Sequence, residues 1–167
     1  MKEEMETLER ELLEHLGYGD RDGFAGDDYD NISQKYNTLD IGHKHEQKLY
    51  QEYGSVFFLK NFPEHTSPFW NMKRNEGKSG TARKIDVILS GMETIGSAER
   101  SCDREDMLNR FNSISDGMYA KTLYNQFGLE RVKKEMDDFL SHTFIKRSGG
   151  GIGITRLISS MKKEGLL

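Results

Sequence analysis

Asp86, Glu93 and Arg100 follow one another at intervals of seven, and near the end of the chain comes Ser148-Gly149-Gly150-Gly151-Ile152-Gly153-Ile154-Thr155-Arg156. Two carboxylates on one surface can hold one or two Mg²⁺ ions, hard cations that take oxygen ligands together with phosphates. A guanidinium beside them offers a bidentate fork to an acidic substrate. A glycine run lets a ligand lie directly on the backbone, and an arginine at the start of the following helix can reach a phosphate.

These groups act together only if a hairpin places them on one face. Residues 83–89 and 92–98 read as strands joined by the two-residue loop Ser90-Gly91. In that register Leu89 pairs with Met92, Ile88 with Glu93, and Asp86 lies opposite Ile95. Side chains alternate along a strand, so Asp86 and Glu93 become diagonal neighbours on one face, with Cβ atoms about 7 Å apart. Arg100 falls on the other face of a regular strand, and a bulge at Gly96-Ser97 would bring it back. By spacing alone the plainer reading is two acids decorating the wet face of a half-exposed sheet, a surface arginine and a flexible glycine turn.

The remaining segments supply the elements around this hairpin. Met5, Leu8, Leu12 and Leu16 recur close to helical spacing over residues 2–16, which predicts a helix buried along that line with glutamates on the remaining face. Residues 17–30 read as a polar loop; its crowd of aspartates lacks the EF-hand spacing and closing Glu of a Ca²⁺ site. Helical patterns follow at 29–36 and 40–53, where His43 and His45, two apart, point to different faces. Residues 56–59 read as a buried strand that stops at a turn, Lys60-Asn61-Phe62-Pro63. The stretch 64–80 is loop-like and ends in a basic segment, 75–80, that fits a lid or a solvated hairpin tip. Helices are expected at 103–111, capped by Asp103, and at 130–140, then a glycine-rich strand running into a helix at 154–161. The sum is an α+β pattern, an antiparallel sheet with helices against it. Trp70 reads as a core or loop anchor, and His142 as a helix-end residue.

With 167 residues, 35% of them apolar, the chain suits one domain with a lean core. Its net charge of −4 is spread over interspersed residues of both signs, so bulk electrostatics give no nucleic-acid footprint. The lone Cys102 excludes an internal disulfide and a Cys-rich zinc site, which fits a reducing compartment such as the cytosol. No apolar stretch approaches the ~20 residues of a membrane span.

Residues 149–156 resemble motif 3 of the class II aminoacyl-tRNA synthetases, a glycine-rich strand leading into a helix whose arginine grips the terminal phosphate of ATP. In the aspartate/asparagine/lysine branch a preceding hairpin carries an acidic residue, a second acid seven further on and an arginine seven beyond. Asp86, Glu93 and Arg100 match in type and spacing. Asn61-Phe62-Pro63 followed by Pro68-Phe69 is similar to another segment of that branch, and His45-Glu46 to one of its helices, so the likeness covers residues 29–161. It implies a partial class II antiparallel sheet flanked by helices, with ATP and Mg²⁺ as cofactors. It also implies roles: Asp86 and Glu93 on Mg²⁺; Gly149, Gly150, Gly151, Gly153 and Arg156 on ATP; Arg156 and Glu93 in catalysis; Arg100 with Glu99 on aspartate or asparagine. The implied activity is ATP-dependent adenylation of aspartate or asparagine. The run Gly149 to Gly153 and the pair Glu99-Arg100 also resemble asparagine synthetases built on this fold, which use ammonia in place of tRNA.

The pattern has departures. Thr155 stands where the synthetases usually carry Asp or Glu before the arginine. Nothing in residues 1–54 resembles motif 1 or motif 2, and no anticodon-binding OB-fold is visible. The expectation is therefore a single domain over 1–167, a truncated synthetase-like catalytic domain working with a missing catalytic half or a homodimer partner, and reaching tRNA only through another module. The alternative is a catalytically inactive paralogue that binds ATP, an amino acid or a protein partner. A third reading is a small α+β interaction module outside the family.

Overall fold

The computed structural model describes residues 2–77 and 80–167. In chain order the elements are α1 (Lys2–His15), β1 (Ala25–Asp28), α2 (Tyr29–Tyr36), α3 (His43–Tyr53), β2 (Val56–Pro63), β3 (Thr81–Leu89) and β4 (Met92–Arg100), then α4 (Arg104–Ser113), α5 (Met118–Phe127), α6 (Leu129–Ser141), β5 (Arg147–Ile152) and α7 (Ile154–Lys163). The strands form one sheet in the order β1-β2-β3-β4-β5. Only β1 runs parallel to its neighbour; the other pairings are antiparallel. This is the expected antiparallel sheet flanked by helices. Among the described residues no helix is long and apolar enough to cross a membrane.

Alternation along β2 and β3 divides the core between the two faces of the sheet. Val56, Phe58, Ile85, Val87 and Leu89 point to one side, where Met5 and Leu13 of α1 and Leu157 of α7 cover them. Phe57, Leu59 and Ile88 point to the other, against Tyr29 and Ile32 of α2 and Leu49 of α3. Each buried Leu, Ile or Phe contributes about 2 kcal/mol through area removed from water, so both faces are firmly held. A third cluster lies apart, where α4, α5 and α6 gather Met107, Phe111, Ala120, Val132 and Met136 around Trp70. Trp70 is thus a core anchor, and His142 ends α6 with its Nδ1 2.8 Å from the Asp138 carbonyl.

Four sequence expectations are corrected. In α1 the buried line is Met5, Glu9 and Leu13, while Leu8 is 66% exposed. The helical period was right, but its phase is set by the sheet beneath. The polar loop at 17–30 contains β1, an outer strand without apolar alternation. Gly26 is needed there, since a side-chain carbon would come within 2.9 Å of Phe58. The expected turn at 60–63 is instead a continuation of β2 through a bulge, with Asn61 left-handed at φ 59°. Finally, α5 was not foreseen; it follows Ser115 and Asp116, both left-handed, at φ 52° and 54°. The basic segment 75–80, expected as a lid or hairpin tip, includes Lys78 and Ser79, which lie outside the described residues.

Candidate functional site

The β3–β4 hairpin turns through Ser90 (φ 50°) and Gly91 (φ 86°), two left-handed residues, as a tight turn matched to strand twist requires. Leu89 pairs with Met92 and Ile88 with Glu93, as the turn predicts. The next pair is Val87 with Ile95, so Thr94 is an extra residue and the strand is bulged there. The bulge expected at Gly96-Ser97 thus lies two residues earlier, and Asp86 stands opposite Gly96 rather than Ile95. Its effect on Arg100 is the anticipated one: Glu93, Gly96, Ala98 and Arg100 now share the face of Ile88, Asp86 and Lys84.

Contacts from the far end of the chain hold the bulge. The Gly153 amide donates to the Thr94 carbonyl at 2.8 Å, and Arg156, in the first turn of α7, donates from Nη1 to the Glu93 carbonyl at 2.7 Å. The glycine strand is thereby locked to the hairpin at the residues that set its register.

Asp86 is 5% exposed, and its Oδ1 has no hydrogen-bond partner among the described residues. Burial pushes its carboxyl up to about 6; Lys84 pulls it back in part, and the Glu93 and Glu46 carboxylates add to the rise. Gly96 leaves room above the strand: a side-chain carbon there would lie 3.4 Å from Asp86 Oδ1 and 3.4 Å from Glu93 Oε1. Glu46, from α3, accepts from the Glu93 amide at 3.3 Å. Together with Tyr29 and His65 these groups line a cleft of about 370 Å³. Mg²⁺ takes one or two carboxylates and completes its shell with water and phosphate. An orphaned buried carboxylate oxygen and a second carboxylate flanking the same space fit that donor set.

Next along the same face, Arg100 donates to Asn71 Oδ1 and to the Gly149 carbonyl, each at 3.1 Å. Burial, with Arg147 alongside, lowers the affinity of this guanidinium for its proton. β5 pairs with β4 in the register Gly96 with Gly151, Ser97 with Gly150 and Ala98 with Gly149, so Gly149 and Gly151 share the face of Asp86. Nothing would obstruct a side-chain carbon at Gly151, whereas one at Gly150, on the reverse face, would lie 2.6 Å from the Gly96 carbonyl oxygen. Bare backbone at Gly149 and Gly151 is therefore open to a ligand, and Gly150 is glycine because β4 is too close.

Of the residues singled out by sequence, the structure gathers Asp86, Glu93, Arg100, Gly149 and Gly151 on one face, with Arg156 and Gly153 at its rim. Gly150, expected on ATP, faces the other way, and Glu99 is not with them either. It lies 3% exposed on the reverse side, 2.9 Å from Arg83 and 3.3 Å from Lys73. Burial alone would raise its carboxyl, and those two cations outweigh burial and hold it below the usual range. Asp40, Glu46 and Lys84 are charged residues lining the cleft to which the sequence assigns no role. Lys84, two before Asp86, follows from strand alternation, and Glu46 belongs to the pair already noted in α3.

Residues 1–165 match the family model of class II tRNA synthetases (D, K and N). Among solved structures, asparaginyl-tRNA synthetase from Pyrococcus horikoshii, complexed with asparaginyl-adenylate, superposes with a TM-score of 0.64 at 21% identity, over 84% of this chain and 32% of that one. Aspartyl-tRNA synthetase from Entamoeba histolytica gives 0.61 at 19% identity, over 82% and 28%. Asparaginyl-tRNA synthetase from the same organism, with asparaginyl-adenylate, gives 0.58 at 19%, over 84% and 32%. The chain thus spans about a third of the length of the solved structures it matches. No curated protein sequence matches it.

Proposed function

This chain belongs to the class II tRNA synthetases (D, K and N), and on that premise we propose that its hairpin and glycine strand form part of a site that adenylates aspartate or asparagine with ATP. The observation that carries the reading is the single face holding the orphaned Asp86 oxygen, Glu93, Arg100 and the bare backbone of Gly149 and Gly151. Asp86 and Glu93 would hold Mg²⁺, which supplies charge neutralisation for the phosphates. Gly149 and Gly151 give the nucleotide a flat wall, and Arg156 meets a phosphate from the start of α7. Arg100, already fixed by Asn71 and Gly149, presents its guanidinium to the amino-acid side chain. Farther along that face, Glu46 and Glu93 give the cleft beside Asp86 negative charge suited to an α-ammonium group. The acceptor, tRNA or ammonia, and any second catalytic half or homodimer partner lie beyond these residues.

The test is pyrophosphate exchange dependent on aspartate or asparagine, together with calorimetry using ATP and Mg²⁺. Exchange lost in Arg100→Ala supports the reading; a folded protein giving no heat with ATP·Mg²⁺ or with either amino acid refutes it. A second reading, an inactive paralogue that binds these ligands without forming adenylate, draws on Thr155, which leaves no carboxylate before Arg156. Binding without exchange would select it.

A further inference from the structure

Lys84 is a cation placed inside a cleft of acids. It pairs across the hairpin with Ala98 and so points to the face of Asp86, to whose Oδ2 its Nζ donates at 2.5 Å. On its other side the ammonium lies 3.8 Å from the centroid of the Phe62 ring, and the side chain is only 23% exposed. A carboxylate and the π face of a ring therefore grip it from two directions. One oxygen of Asp86 is taken by this contact, and the other, Oδ1, is the one that flanks the space above Gly96 together with Glu93 Oε1.

Two consequences follow from charge and geometry. A carboxylate held at one oxygen by an ammonium cannot also close both oxygens on a metal ion. In addition, the positive charge beside the cleft opposes a bare divalent cation but attracts a cation that arrives wrapped in a polyphosphate, because that complex is negative overall.

We propose that Lys84 is a positioning and selecting residue, which restricts Asp86 to one metal-facing oxygen and makes the cleft prefer a metal–nucleotide complex to the free metal ion. This rests on the reading of the cleft as a nucleotide and Mg²⁺ site. Neutralising Lys84 should then move the two affinities in opposite directions, which a merely structural role would not do.

The probe is Mn²⁺, titrated into the full chain with the free ion followed by electron paramagnetic resonance, alone and then with ATP. Lys84→Met should bind Mn²⁺ alone at least tenfold more tightly than the parent, the lower bound set by loss of one charge about 6 Å from a divalent ion at a water-like dielectric of about 80. The same variant should bind Mn²⁺·ATP several-fold more weakly, and Lys84→Arg should keep the parent's order. Lys84→Gln replaces the methionine variant if circular dichroism shows that variant unfolded. Free Mn²⁺ bound no more tightly on loss of the lysine, while Asp86→Asn abolishes binding, would overturn the role of Lys84 and leave the metal site standing. Equal Mn²⁺ affinity in the parent, Asp86→Asn and Lys84→Met, or none in any of them, would remove the metal site itself and this inference with it.

Discussion

Glu9 should set a large part of the pH dependence of stability. It sits on the buried line of α1, 6% exposed, against the reverse face of the sheet, and its Oε2 has no hydrogen-bond partner among the described residues. Burial pushes its carboxyl from the usual 4.5 to about 7, and Ser97 offsets only part of that rise. Between those values the folded protein keeps a proton that the unfolded chain releases. Stability therefore falls as pH climbs from about 4.5 and levels off above about 7. At about 1.4 kcal/mol per tenfold change in ionisation constant, the penalty at pH 8 is at most about 3 to 4 kcal/mol, and solvent screening reduces it to roughly half. Glu9→Gln keeps the shape and removes the charge. Urea unfolding should show variant and parent alike at pH 4.5 and the variant more stable by about 1.5 kcal/mol at pH 8. With a slope near 2 kcal/mol per molar, the midpoint shifts by roughly 0.7 M. Asp86 titrates in both proteins, and because its charge adds only a minor part of the rise at Glu9, its own contribution largely cancels in the difference. A gap of the same size at both pH values, or a variant weaker at pH 8, would refute the argument.

Other expectations concern the site. Arg100→Ala should abolish detectable binding of the acidic amino acid in calorimetry while the far-ultraviolet circular dichroism stays unchanged. Glu93→Gln should weaken ATP·Mg²⁺ by about tenfold, in line with the loss of one charge-assisted contact of about 1.5 kcal/mol; if both variants bind like the parent, the hairpin is not the site. Gly150→Ala forces a carbon to within 2.6 Å of the Gly96 carbonyl oxygen and should cost about 1–3 kcal/mol, visible as a lower melting temperature. Gly151→Ala meets no atom within 4 Å; it should melt with the parent yet bind ATP more weakly, and a matching loss of stability would contradict the open wall.

How much of this was legible in the sequence depended on how local its cause was. The hairpin could be read because Ser90-Gly91 supplies the turn and alternation does the rest, so the shared face of Asp86 and Glu93 emerged from counting. The displacement of the bulge to Thr94 could not, because the groups that hold its carbonyls, Gly153 and Arg156, are some 60 residues away. In α1 the period is a property of the segment, but its phase is decided by the sheet, which buries Glu9 and leaves Leu8 in water. β1 has no local signature, since it becomes a strand only by pairing with β2. Glu99 and Arg100 are neighbours in sequence and match one substrate role by resemblance; strand geometry sends them to opposite sides, and only Arg100 shares the face of Asp86.

The extra residue at Thr94 also governs which changes of length this hairpin could survive. Because Glu93 already faces Ile88 and Ile95 already faces Val87, an in-frame deletion of Thr94 would straighten β4 and leave every other partner in place. Losing one residue from 95 to 98 while the bulge at Thr94 is kept would instead carry Arg100 to the reverse side and bring Glu99 to the front. A gene that dropped one codon there would present a carboxylate where it now presents a guanidinium, reversing the charge at that point of the face.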